Sequence, residues 1–243
     1  VYKSIAKYYD LLGWGEFHDI AFPRLKPLLL EHRCKSYLDL ACGTGSLAFS
    51  VARMGIEVVG LDKSKEMLAM AEQRLKRFGG KIKPEFVKRD MTRFNLKCQF
   101  DAVGCFFDAP NHLLTEDGFS RFIVSASRHL KPGGFFIFDV NTVRGLRNWD
   151  AILFTERGEH AILMKGSYDR SSRLAAVTIS GFVKLAGGKR DRFKETFYER
   201  GYPHKFIVSC LKKAGFGDIE ATPSKAGTAL RAAGRVFYTA YKK

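Results

Sequence analysis

The sequence predicts an α/β fold: a mostly parallel, seven-stranded sheet flanked by helices and interrupted by an antiparallel β insertion. Up to residue 141, short apolar runs alternate with stretches of helical period, the rhythm of a buried parallel sheet whose strands are joined through helices. Between residues 142 and 200 the period drops to two, broken by Arg157-Gly158, Gly187-Gly188 and the polar run 169–173, which reads as antiparallel strands and turns. From Pro203 the strand–helix pattern resumes. The expected organisation is a core of residues 1–141 and 201–243, with residues 142–200 as a β insertion covering a substrate.

In chain order, residues 2–32 read as helical. Ile5, Tyr8, Tyr9 and Leu12, then Phe17, Ile20 and Ala21 after a break at residues 13–15, recur at helical spacing. Pro23 and Pro27 predict a turn or restart in the second segment. Strands are expected at 36–40, 57–61, 84–88, 100–106 and 135–140, and helices at 45–54, 64–78 and 115–130. Ser64 and Thr115 are the N-caps, and Gly55 and Gly79-Gly80 the stops. The insertion carries strands at 151–156, 160–168, 174–185 and 190–198. A helix at 203–214 and strands at 216–221 and 236–241 complete the chain.

Composition narrows the function classes. No apolar run reaches the roughly 18 residues of a membrane span, and the first residues lack the apolar core and cleavage site of a secretory signal. Five cysteines with no CxxC read as reduced thiols of a cytoplasmic protein, not as a disulfide frame or zinc site. No HxH or HExxH spacing suggests a metal. The net charge is +16, and residues 142–243 hold 20 Lys/Arg against 9 Asp/Glu. The cations are scattered singly and in pairs, so the plain reading is a basic surface, with nucleic-acid binding the lesser alternative. Composition leaves monomer and homodimer open.

The chemistry gathers at strand ends. The stretch 36–47, SYLDLACGTGSL, is a strand carrying Asp39 that turns through Gly43 and Gly45 into a helix. Glycines two apart allow a tight turn and bring backbone N–H groups close to a ligand. Asp62, Asp90, Asp108 and the pair Asp139/Asn141 fall at or just past later strand ends, where open parallel sheets bind ligands. Asp62 suits a pair of ribose hydroxyls, or else caps the next helix. Asp90 suits an adenine amino group with Met91 packed on the ring, or else caps a loop. The match Gly43-Thr44-Gly45-Ser46-Leu47-Ala48 also satisfies a dinucleotide fingerprint. Against a dinucleotide, Asp39 would face the pyrophosphate, and no second nucleotide-binding half follows. A ligand with a cationic amino group fits Asp39 better.

These residues resemble the class I S-adenosylmethionine-dependent methyltransferases. The resemblance runs through LDLACGTG (38–45), VVGLDKSKEML (58–68), FVKRDM (86–91), FDAVGCFFDAPNHL (100–113) and HLKPGGFFIFDVN (129–141). It implies a Rossmann-like core using S-adenosylmethionine and releasing S-adenosylhomocysteine. Ala41, Gly43 and Gly45 would shape the loop around the methionine part, Ala41 standing where the family often has glycine. Asp62 would take the ribose with Lys63 beside it, Asp90 and Met91 the adenine, and Cys105-Phe106 would close the near side. Tyr9, or else Tyr8, is similar to the tyrosine that caps the methionine part in small-molecule members. The stretch 197–216 resembles the small-molecule branch, including amino-sugar N-methyltransferases, through Arg200, Tyr202 and the KKAGF ending; Arg200 and Tyr202, beside Tyr8 and Asn141, are the candidate substrate residues. No NPPY-type motif follows the fourth strand, which argues against the DNA and protein-glutamine branches.

Methyl transfer from a sulfonium needs alignment and exclusion of water more than covalent help. An acceptor amine must be neutral and a hydroxyl needs a base; Asp139, Asn141, His112 and His204 are the candidates. The leading expectation is methyl transfer to nitrogen or oxygen of a small molecule. An RNA methyltransferase using the basic insertion, and a non-catalytic cofactor-binding regulator, are the alternatives.

Overall fold

The computed structural model of the protein describes residues 2–243, the side chains of residues 157 and 186 excepted. Strands β1 (Ser36–Leu40), β2 (Glu57–Asp62), β3 (Glu85–Lys88), β4 (Phe100–Cys105), β5 (Leu130–Asn141), β10 (Phe216–Pro223) and β11 (Arg235–Lys242) form a seven-stranded sheet. Its order is β10-β11-β5-β4-β1-β2-β3, and only β11 runs against its neighbours. The chain moves outward from β1 to β3, then returns to lay β4 along the other side of β1. The topological switch therefore lies between β1 and β4, where such sheets open a crevice at their carboxyl ends.

Helices cover both faces. On one face α4 (Glu116–Arg128) and α6 (His204–Lys213) bury Phe119, Phe122, Ile123, Ile207 and Leu211 against Leu38, Val103, Phe136 and Phe138. On the other, α1 (His18–Glu31) and α2 (Ser46–Ala52) bury Leu25, Leu29, Phe49 and Val51 against Tyr37, Ala102 and Phe135. Helix α3 (Lys65–Leu75) packs on β3, and the Ser64 Oγ accepts the Met67 N–H as an N-cap at 3.2 Å. Thr115 caps α4 in the same way through the Gly118 N–H at 3.0 Å.

Three expectations need correction, the first being that residues 2–17 hold only single turns of tight helix at Ala6–Tyr8 and Trp14–Phe17 and no α-helix. Helix α1 runs unbroken through Pro23 and Pro27. The prolines stand four apart on its exposed side, and the carbonyls they leave without an i+4 donor belong to the exposed Asp19 and Pro23, on the side open to water. A short helix, α5 (Val143–Arg147), opens the region after β5, with Thr142 Oγ1 accepting the Gly145 N–H at 3.0 Å.

The second sheet is antiparallel and holds β6 (Ile152–Arg157), β7 (His160–Asp169), β8 (Leu174–Lys184) and β9 (Arg190–Arg200) in sequence order. Its inner face buries Ile162, Val177, Ile179, Phe193 and Phe197 against Ile5, Tyr8 and Leu12 of the N-terminal segment. Glu195 accepts the Lys3 and Ser4 N–H groups at 3.0 Å each, and Asp191 takes Lys7 at 2.8 Å and the Tyr8 hydroxyl. The N-terminal segment is thus fastened along the insertion. Among the described residues no helix is long and apolar enough to cross a membrane.

Candidate active site

Past β1 the backbone turns left-handed at Ala41, Gly43 and Gly45, with φ of +55°, +56° and +79°. A Cβ on Gly45 would stand 2.8 Å from the Phe86 ring, whereas one on Gly43 would meet nothing within 4 Å. Gly45 is therefore demanded by both turn and packing, and Gly43 by the turn alone. Ala41 accepts the same backbone region at a steric cost.

Asp62, at the end of β2, holds this loop. Its carboxylate accepts the Gly43 N–H at 2.9 Å and the Ser64 N–H at 2.7 Å. A carboxylate has about four acceptor sites, so Asp62 keeps capacity for a ligand. On the outer side Asp10 accepts the Thr44 hydroxyl at 2.8 Å and pairs with Arg74 at 2.6 Å, while Arg74 also donates to Ser46 Oγ at 2.6 Å. The segment fastened to the insertion is thereby also fastened to the glycine loop.

Between them lies a cavity of about 1090 Å³, counted out to its open mouth, at the switch point of the sheet. Tyr9, Asp39, Ala41, Gly43, Asp62, Lys63, Asp90, Met91, Phe106 and His112 all line it. Of the two tyrosines, Tyr9 reaches it, while Tyr8 turns its ring onto Phe193, 5.9 Å away. Much of the remaining wall is aromatic or apolar, with Tyr2, Trp14, Phe17, Met67 and Phe107 in it. Phe17 stacks on Phe107 at 4.7 Å and Tyr9 meets Tyr2 edge-on at 5.7 Å. Sequence reasoning missed these side chains; only the clustering of aromatics between residues 2 and 17 hinted at them.

Several other predicted site residues do not reach the cavity. Gly45 and Cys105 lie behind it, the Cys105 thiol buried 4.0 Å from the Met91 sulfur. Asp139 is fully buried and Asn141 nearly so, because β5 continues to Asn141 and pairs there with β11 through Arg235. His204 stacks on Tyr238, its Nδ1 3.0 Å from the phenol oxygen, on the α6 side of the sheet. Arg200 donates to Leu114 O at 3.0 Å, and the Tyr202 hydroxyl binds the carbonyls of Leu113 and Thr115. These two residues brace the start of α4.

Two polar groups in the cavity are set for chemistry. Asp39 is 3% exposed; one oxygen lies 3.4 Å from the Tyr37 hydroxyl, and the other, Oδ2, has no hydrogen-bond partner among the described residues. Burial, opposed by the Tyr37 hydroxyl, pushes this carboxyl up to about 7. An orphaned buried carboxylate oxygen in a cavity is costly unless a ligand donor meets it. The ammonium of a methionine-derived ligand has that donor. His112 places Nδ1 3.1 Å from the Tyr198 carbonyl and Nε2 3.4 Å from the Tyr2 hydroxyl. A carbonyl only accepts, so Nδ1 carries the hydrogen and Nε2 keeps its lone pair. Burial holds the imidazole below its ordinary value, which keeps it neutral at pH 7.

Comparison with known proteins identifies the family. Residues 38–134 match the family model described as a methyltransferase domain. The chain is 30% identical over 224 residues, 89% of its length and 86% of the relative's, to the "Putative methyltransferase YqeM" of Bacillus subtilis (strain 168). A 142-residue stretch, 56% of this chain and 52% of the relative, is 32% identical to a dTDP-3-amino-3,6-dideoxy-alpha-D-glucopyranose N,N-dimethyltransferase of Streptomyces fradiae. Among solved structures, an S-adenosylmethionine-dependent methyltransferase from Clostridium acetobutylicum ATCC 824 superposes with a TM-score of 0.82 at 25% identity, covering 97% of this chain and 96% of that one. The chain belongs to the class I S-adenosylmethionine-dependent methyltransferases and is an enzyme of that class.

Proposed function

We propose that the cavity holds S-adenosylmethionine and that the enzyme methylates a nitrogen or oxygen of a small molecule. The orphaned oxygen of Asp39 carries the first half of this reading. Asp39 would meet the ligand's ammonium, Asp62 the ribose hydroxyls, and Asp90 and Met91 the adenine, with Lys63 and Phe106 beside them and Tyr9 over the methionine part. When bound, the cofactor supplies an electrophilic methyl group on a sulfonium.

The chain's own residues do the rest. The aromatic wall excludes water, and His112 Nε2 accepts a proton from the acceptor's amine or hydroxyl, a role its neutrality and fixed tautomer suit. A small acceptor is favoured because the N-terminal segment, fastened at both ends, roofs the cavity, which suits an enclosed ligand better than a polymer. The Streptomyces fradiae relative, named for an amino-sugar acceptor, supports the same class. The test is a labelled-methyl screen of a metabolite pool against an RNA pool. Label in metabolites supports the reading. Label confined to RNA transfers it to a nucleic-acid enzyme, and binding of the cofactor without transfer to either pool makes it a regulator.

A further inference from the structure

Behind the cavity wall lies a buried polar network that joins both sheets. Asp139 on β5 accepts the Phe107 N–H at 2.7 Å and the Asp108 N–H at 3.1 Å. Those two residues are consecutive and left-handed, with φ of +59° and +48°, a conformation that persists only where surroundings enforce it. Arg235 on β11 pairs with Asp139 and, at 2.7 Å, with Asp108, while its guanidinium lies 4.7 Å over the Phe17 ring. Asn141 donates to Asp108 and to Glu199 of β9 at 3.0 Å each, and Asn111 bonds the carbonyls of Asn141 and Arg200 at 2.9 and 2.8 Å. The turn thus fixed leads straight into the short helix Ala109–His112, whose last residue faces the cavity.

On the reading that His112 is the base, we propose that Asp139, Arg235 and the Asp108–Glu199 pair are positioning residues that aim Phe107 and His112 at the acceptor and lock their turn to the insertion. Four observations combine here: two left-handed residues held by one carboxylate, a guanidinium bridging that carboxylate to the turn, an amide bridging the turn to β9, and the Tyr198 carbonyl of the same strand setting the His112 tautomer. The Glu199 and Asp108 carboxyls meet at the Asn141 amide, which bonds both. Burial and the neighbouring Asp108 charge raise Glu199 well above the carboxylate range, while Arg235 holds Asp108 low despite its burial. Of the two, Glu199 is therefore the carboxyl that holds a proton. Glutamine is likewise uncharged and keeps an oxygen for the Asn141 amide, so this position accepts amide in place of acid.

The test reads His112 directly and needs no acceptor. Nitrogen-15 histidine spectra and amide exchange are recorded on the full chain, with and without S-adenosylhomocysteine, for wild type, Asp139→Asn, Glu199→Gln and Glu199→Leu, beside their melting temperatures. Wild type and Glu199→Gln are expected to show a single Nδ1–H tautomer. Asp139→Asn and Glu199→Leu are expected to show tautomer averaging, and Asp139→Asn a loss of protection at Phe107 and Asp108 of about tenfold or more. Wild-type tautomers in Asp139→Asn and Glu199→Leu, or averaging in Glu199→Gln equal to that in Glu199→Leu, overturn the proposal. Failure of wild type to bind S-adenosylhomocysteine overturns the cofactor-site reading instead, and the spectra of the free protein still decide the positioning role.

Discussion

Replacing Asp39 with asparagine should make the free enzyme more stable and a worse binder of its cofactor. The carboxyl moves from 3.8 to about 7 on folding, a shift of just over three units, or roughly 4 kcal/mol. Because the folded value is the raised one, the folded state holds the extra proton. The associated stability is fully present below about pH 4 and is lost as pH rises through about 7. At pH 8 the ionised carboxylate costs the free protein most of that amount, and asparagine removes the charge. Differential scanning fluorimetry should show Asp39→Asn gaining about 2–4 kcal/mol at pH 8, roughly 5–15 °C in melting temperature, with the gain vanishing near pH 4. The variant should bind S-adenosylhomocysteine about 100-fold more weakly, the loss of a charge-assisted bond. For wild type, the ionised fraction needed for binding makes affinity about eightfold weaker at pH 6 than at pH 7.5. A variant no more stable than wild type at pH 8, or equal in affinity, would refute the reasoning.

Three further outcomes follow from the loop and the sheet. Ala41→Gly should stabilise the protein by about 0.5 kcal/mol, since relief of left-handed strain slightly exceeds glycine's added freedom in the unfolded chain; urea melts read this, with S-adenosylhomocysteine affinity unchanged. Gly45→Ala should lose about 2–3 kcal/mol in the same melts, because the new methyl meets Phe86 at 2.8 Å in a backbone region hostile to Cβ. Asp101 accepts the Lys35 and Ser36 N–H groups at 2.8 and 2.9 Å and pairs with Lys131 at 2.8 Å. Against the cost of burial these hold it at about 2. Its folded value is depressed, so its contribution, about 2 kcal/mol, is present above pH 4 and lost as pH falls through 2; Asp101→Asn should flatten the acid limb of the stability profile between those limits.

The sheet was legible because its apolar strands, cap residues and glycines are local signals, each readable within a few positions. The order of strands and the direction of β11 rest on long-range pairing and were not. Pro23 and Pro27 misled because a break was inferred from chemistry without knowing that their orphaned carbonyls face water. Helix α5 was missed because five residues carry too little periodicity. At the site, residues within one motif stretch, Asp39 to Asp62 above all, were placed by their position at strand ends. Asp139 and Asn141 followed the same rule and landed in the interior, since β11 extends β5 past the point where a strand end would reach the crevice. The Asp108–Asp139–Arg235–Glu199 network joins residues from four separated stretches, and no local pattern predicts that Asp108 and Asp139 share one guanidinium while an amide ties Asp108 to Glu199.

The central claim is that the crevice around Asp39 and Asp62 is the cofactor site. Isothermal titration of S-adenosylhomocysteine into wild type and Asp62→Ala tests it most directly. Saturable one-to-one binding by wild type, abolished or weakened at least tenfold in a folded Asp62→Ala, is the predicted result. No binding by wild type, or equal affinity in the two proteins, would contradict it.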